Sequence, residues 1–169
     1  MKSAATLTKS PPREAAHSSA YEKDFHAWLL SQVSALRERR FRDLDLENLI
    51  EEVEELARSL ARELRNRLKV VLVHLLKWQF QPSRKSASWD LTLLEQRDQL
   101  AQLLEQNPSL RQQVPQLIEK AYPAAGKTAA KEMQLDSSQW QRTFPAQCPW
   151  TPAQILDEDY LPNGPRPRS

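Results

Sequence analysis

Between residues 49 and 78, apolar side chains recur at Leu49, Val53, Leu56, Leu60, Leu64, Leu68, Val71, Leu75 and Trp78. The mean step is about 3.6 residues, the α-helical period, where a coiled coil would hold about 3.5. The run predicts one straight or gently curved helix over 46–80, roughly 52 Å long at about 1.5 Å per residue. Asp45 is placed to N-cap it, and Pro82 to end it by disfavouring helix in the preceding residue. A striped helix of this length needs neighbours to cover it. The expected fold is therefore all-α, a compact bundle of about four main helices around this one.

The neighbours are legible. Phe25, Trp28, Leu29, Val33 and Leu36 mark one apolar face of a first helix over Tyr21 to Arg37. Phe41 and Leu44 are expected to pin the following turn against the core. A third helix is expected from Trp89 to Gln106, capped by Ser86 or Ser88, with Leu91, Leu94, Leu100, Leu103 and Leu104 buried. Asn107-Pro108 opens a further helical stretch in the favoured cap-then-proline order, and Pro115 marks a second start. Leu117, Ile118 and Tyr122 should be buried there, and Pro123 with Gly126 should kink or break that helix before Met133. Phe144-Pro145 and Cys148-Pro149-Trp150 form a proline and aromatic strap. Thr151-Pro152 then starts a short helix through Leu156. Residues 1–20 read as a disordered arm and 163–169 as a disordered tail, leaving a single helical domain over 21–162.

Composition supports this reading. The chain has only two glycines, whereas a fold of many tight hairpins would need more. Cys148 is the single cysteine, so no intrachain disulfide forms and a reducing compartment is expected. No leader-like apolar core or membrane-length apolar run occurs, so a cytoplasmic protein with no membrane partner is expected. A formal net charge of +2 is too small to argue for nucleic acid by itself.

The charge on the long helix is segregated. Glu47, Glu51, Glu52, Glu54 and Glu55 precede Arg58, Arg62, Arg65, Arg67 and Lys69. Acids near a helix N-terminus complement its dipole, and Glu54–Arg58 and Glu63–Arg67 have i,i+4 spacing. Glu51, Glu52 and Glu55 are the weak candidates for holding a hard divalent cation. No metal site, cofactor or recognised catalytic motif is predicted. At the far end, His74 and Lys77 are i,i+3 neighbours. With Trp78, Ser88 and Trp89 they are the candidate pocket residues. A half-buried His beside a Lys favours its neutral form, which suits a general base.

The sequence resembles a known family in Asp45-Leu46-Glu47-Asn48-Leu49-Ile50-Glu51-Glu52-Val53-Glu54, His74-Leu75-Leu76-Lys77-Trp78-Gln79 with Gln81-Pro82, and Ser86-x-Ser88-Trp89. Asn107-Pro108-Ser109-Leu110 and Pro149-Trp150-Thr151-x-x-Gln154-Ile155-Leu156 continue the match. It is domain-of-unknown-function family 29, abundant in cyanobacteria. The resemblance implies a compact helical domain and no established activity.

Three functions are compatible with these features. The leading expectation is an interaction or structural module whose polar face binds a protein, itself or another. The alternative is a metal-dependent hydrolase or nuclease using Glu52 or Glu55 with His74 and Lys77. A third is a nucleic-acid-binding accessory protein using the basic stretch from Arg58 to Lys85.

Overall fold

The structure, a computed structural model, describes residues 20–136 and 139–162. The expected arm and tail lie outside them, apart from Ala20. The fold is all-α, with no strand among the described residues. Backbone contacts divide the chain into two units, with the boundary between Arg58 and Ser59, inside the long helix.

The N-terminal unit is a helical hairpin. A helical turn at 20–23 leads into α1, Phe25–Arg37, whose first turn is capped by Asp24 accepting from the Ala27 N–H at 2.9 Å. At its end, the Arg40 N–H bonds to the Ala35 carbonyl and the Arg39 N–H to the Leu36 carbonyl, a Schellman closure. Arg39 takes the left-handed position at φ 55° that glycine usually fills. A 3₁₀ turn at Phe41–Asp43 follows, then α2, Leu46–Phe80, continuous over its whole predicted length. Asp45 caps α2 as expected, accepting from the Asn48 N–H at 3.5 Å.

Polar groups hold this hairpin together. Buried Asp45 accepts from Trp28 Nε1 at 3.1 Å and from Asn48 Nδ2 at 2.8 Å. Its own N–H donates to Oε1 of buried Gln32 at 2.9 Å. Tyr21 Oη donates to Glu52 at 2.5 Å. Residue 21 meeting 52 and residue 28 meeting 45 makes the two helices antiparallel. At about 100° per residue, Asp45, Asn48 and Glu52 share the side of α2 turned toward α1. Leu46, Ile50 and Val53 lie on a different arc.

The expected apolar faces are therefore not buried here. Trp28 is 2% exposed, but Phe25, Val33 and Leu36 are 41–44% exposed. Phe41 is also exposed and does not pin the turn, because the turn closes through its backbone and through Arg40, which bonds Glu38 and Asp43. In the first half of α2, Val53 and Leu56 are exposed and Leu49 is half-buried.

The C-terminal unit holds a conventional core. From Leu64 onward α2 buries Leu64, Leu68, Val71, Leu72, Leu75 and Leu76 completely. Against them pack α3, Ala87–Gln106, and α4, Val114–Glu132, with a 3₁₀ turn at Pro108–Gln113 between. Ser86 caps α3, its hydroxyl accepting from the Trp89 N–H at 3.4 Å. The inward side of α3 is Leu93, Arg97, Leu100, Leu103 and Leu104, with steps of three or four residues from Leu93 to Leu103 and Leu104 four beyond Leu100. Leu91 falls opposite that side and is exposed, contrary to expectation, while Leu94 is half-buried.

The fourth helix does not break where the sequence allowed a kink or a break. Pro115 opens α4 as expected, but α4 then runs unbroken through Pro123 and Gly126. Pro123 is exposed, so its ring sits on the outer side. Ala121, Ala125, Ala129 and Ala130 are buried around it, and their helix propensity and close packing offset the lost hydrogen bond. The helix closes with Gln134 at φ 61°, the second left-handed non-glycine residue. Two short helices, α5 (Trp140–Thr143) and α6 (Pro152–Leu156), carry the strap. Phe144 and Trp150 are buried in the core, and Thr151 with Gln154 forms a reciprocal capping box on α6.

Arg97 anchors that last segment. It is 1% exposed and donates to the carbonyls of Gln154, Ile155, Glu158 and Tyr160 at 2.9–3.3 Å. The end of α6 leaves carbonyls without helical partners, and a cation among them satisfies both.

Candidate functional site

Two places concentrate unusual chemistry, one in each unit. In the C-terminal unit it is the end of α2. Lys77 is only 7% exposed. Its Nζ lies 2.7 Å from Glu132 Oε2 and 4.3 Å from the centre of the Trp89 ring. A carboxylate on one side and an aromatic face on the other offset the cost of burying the charge. His74 Nδ1 is 2.9 Å from the Val70 carbonyl. That pairing makes Nδ1 the N–H donor and leaves Nε2 as the acceptor of a neutral ring. Burial lowers the His74 pKa from 6.5, and Lys77 lowers it further, against the raising effects of the Val70 carbonyl and Glu132.

Beside His74 is a hollow of about 260 Å³, lined also by Asn66, Lys69, Val70, Val73, Thr128 and Glu132. Of the five pocket residues expected from sequence, His74 alone lines it. Lys77 and Trp89 meet each other directly but do not line it. Trp78 stands under Lys85 Nζ at 5.0 Å. Ser88 is exposed, its hydroxyl 3.4 Å from that of Ser86. Glu132 escaped the sequence reading because it reaches Lys77 across 55 residues, a pairing that no local spacing announces.

The acidic candidates Glu51, Glu52 and Glu55 belong to the N-terminal unit, and two of them have other occupations. Glu52 accepts from Tyr21, and Glu55 pairs with Arg58 at 2.9 Å. Glu51 is exposed. About six turns of α2 separate Glu52 from His74 along the chain. Among the described residues, no group of three or more His, Cys, Asp or Glu could hold a metal ion.

The basic middle of α2 borders a hollow of about 450 Å³ lined by Arg62, Glu63, Asn66, Arg67 and Gln96 among others. Arg67 is bonded there to Glu63 at 2.7 Å and to Gln99. A third hollow, about 460 Å³, lies between α4 and the strap at Ile118, Tyr122, Cys148 and Trp150. Burial pushes Tyr122 up to about 12 and raises Cys148, so neither is an activated nucleophile.

In the N-terminal unit the unusual chemistry is apolar. Ten large apolar side chains are exposed among the described residues, and nine of them lie in 25–56. The tenth, Leu91, stands alone. Phe25, Val33 and Leu36 share a side of α1, and Leu46, Ile50 and Val53 share a side of α2. The sequence pattern assigns Phe25, Val33, Leu36 and Val53 to the core and does not mark Leu46 or Ile50. The signal it passed over was that Trp28 and Tyr21 carry polar tips, which led α1 to dock on Asp45 and Glu52 instead.

No helix among the described residues is long and apolar enough to cross a membrane. In comparisons with known proteins, one family model matches residues 20–161, under the description "Domain of unknown function DUF29". No curated protein and no solved structure matches the chain.

Proposed function

The chain belongs to the DUF29 family of domains of unknown function, and from its geometry we propose that it is a protein-interaction module. In this reading the C-terminal unit is the stable scaffold and the N-terminal hairpin is the docking element. The observation that carries it is the concentration of exposed large apolar side chains in residues 25–56. Grouped apolar exposure of this kind marks association surfaces, whereas single exposed leucines such as Leu91 are ordinary. The docking face is apolar, where the sequence had pointed to the polar face. The charged groups flanking it on α2, Glu47, Glu51, Glu54 and Arg58, are exposed and serve solubility.

Site-specific photo-crosslinking in a native extract tests the proposal. A photoreactive residue at Val53 or Leu36 is expected to give discrete adducts, and one at exposed Arg111 is expected to give none. Equal labelling from all three positions would contradict the reading.

A further inference from the structure

We propose that the occupant of this apolar face is a second copy of the chain, paired hairpin to hairpin in an antiparallel, two-fold arrangement that completes a four-helix bundle. The inference rests on the interaction-module reading and names the partner.

Two helices form only one layer, and a layer with apolar stripes on both helices needs a second to bury them. A copy of the same hairpin supplies matching stripes: about a two-fold axis perpendicular to the helices, Phe25, Val33 and Leu36 meet their own counterparts on the second α1, and Leu46, Ile50 and Val53 meet theirs on the second α2. Two-fold pairing makes each contact twice. Four helices joined this way reproduce the common bundle geometry.

Charge fixes the direction. The hairpin's tip, where α1 turns into α2, carries Arg37, Arg39, Arg40 and Arg42 against Glu38, Asp43 and Asp45. Arg40 is paired with Glu38 and Asp43, and four arginines against three acids leave the tip with a net charge of +1. The opposite end, where Tyr21 meets Glu52, carries Glu22 and Asp24 against Lys23, and four glutamates between residues 51 and 55 against Arg58. A parallel pair would set tip on tip and acid on acid. An antiparallel pair sets each basic tip on the other copy's acidic end, twice over. Such complementarity favours one orientation and weakens with salt.

The test is sedimentation velocity of the full chain over a concentration series, with circular dichroism to confirm folding. The wild type is expected to dimerise, and more weakly at high salt. Val53→Glu should raise the dissociation constant about tenfold or more, with Leu91→Glu unchanged. Arg37→Glu with Arg42→Glu should weaken the dimer, and adding Glu22→Arg with Glu51→Arg should restore it. A dimer indifferent to Val53→Glu, or charge reversals without rescue, would overturn the inference. So would a wild type monomeric throughout. Binding of the dye ANS then separates the two readings. A monomer whose ANS binding is lost in Val53→Glu keeps the docking face for a different protein. A monomer that binds ANS only after residues 1–19 are removed has the face covered by its own leader. A monomer that binds none in either form overturns the docking face as well.

Discussion

Val53 and Leu75 hold equivalent places in one apolar stripe on one helix, yet the first is 60% exposed and the second fully buried. The difference lies in what each half of α2 has for neighbours. Around Leu75 the chain returns repeatedly, through α3, α4 and the strap, and each pass adds apolar side chains to one contiguous core. Around Val53 the described neighbour is α1, and α1 spends its best side chains on polar contacts. Trp28 and Gln32 go to Asp45, and Tyr21 goes to Glu52. Periodicity fixes which side of a helix is apolar. It does not fix whether the covering surface comes from the same chain.

Substitution breaks the comparison most sharply. Leu75→Ala should cost about 2–5 kcal/mol of unfolding free energy, as a buried leucine truncation does. Val53→Ala should change it by no more than about 0.5 kcal/mol in dilute solution, where the side chain faces water. Urea unfolding of both variants at low concentration checks this, and equal losses would mean the two halves share one core.

A smaller effect is expected at Arg97. Arg97→Met keeps the stem's bulk and strands the carbonyls of α6, at a cost of about 1–3 kcal/mol. Limited proteolysis should then cut within residues 152–162 before it cuts α2. Uniform cleavage would show that the arginine supports the whole unit and not this segment.

The smallest effect is a pH dependence at His74. Its folded pKa lies below 6.5, so the folded state disfavours the proton that the unfolded chain accepts. The stability it contributes is present above pH 6.5 and is lost as pH falls through the window from 6.5 down to the folded value. His74→Gln should flatten the urea midpoint across that window. An unchanged slope would place the titration elsewhere.

Much of the fold was readable in the sequence. The bounds of α2, its Asp45 cap, the Ser86 cap of α3 and the Thr151-Pro152 start of α6 are local matters of side-chain chemistry, and local sequence reports them. Leu91 was misplaced because α3 is leucine-rich on more than one side, so spacing alone left its buried register open. Pro123 signals a kink or a break because its general cost in a helix is large, and the buried alanines that offset this cost are recognisable only once their packing is known. The site was less legible. His74 and Lys77 stood out, but Glu132 and the carbonyls held by Arg97 come from distant sequence.

Amide hydrogen exchange at two protein concentrations tests the central claim most directly. Helix ends and lightly packed segments open locally, and a bound partner slows that opening by mass action. Residues 64–76 are expected to exchange slowly at both concentrations. Residues 25–56 should exchange quickly in dilute solution, and about tenfold more slowly when the copy concentration is about ten times the dissociation constant. Exchange in 25–56 that is already slow in dilute solution, or that does not respond to concentration, would contradict the account.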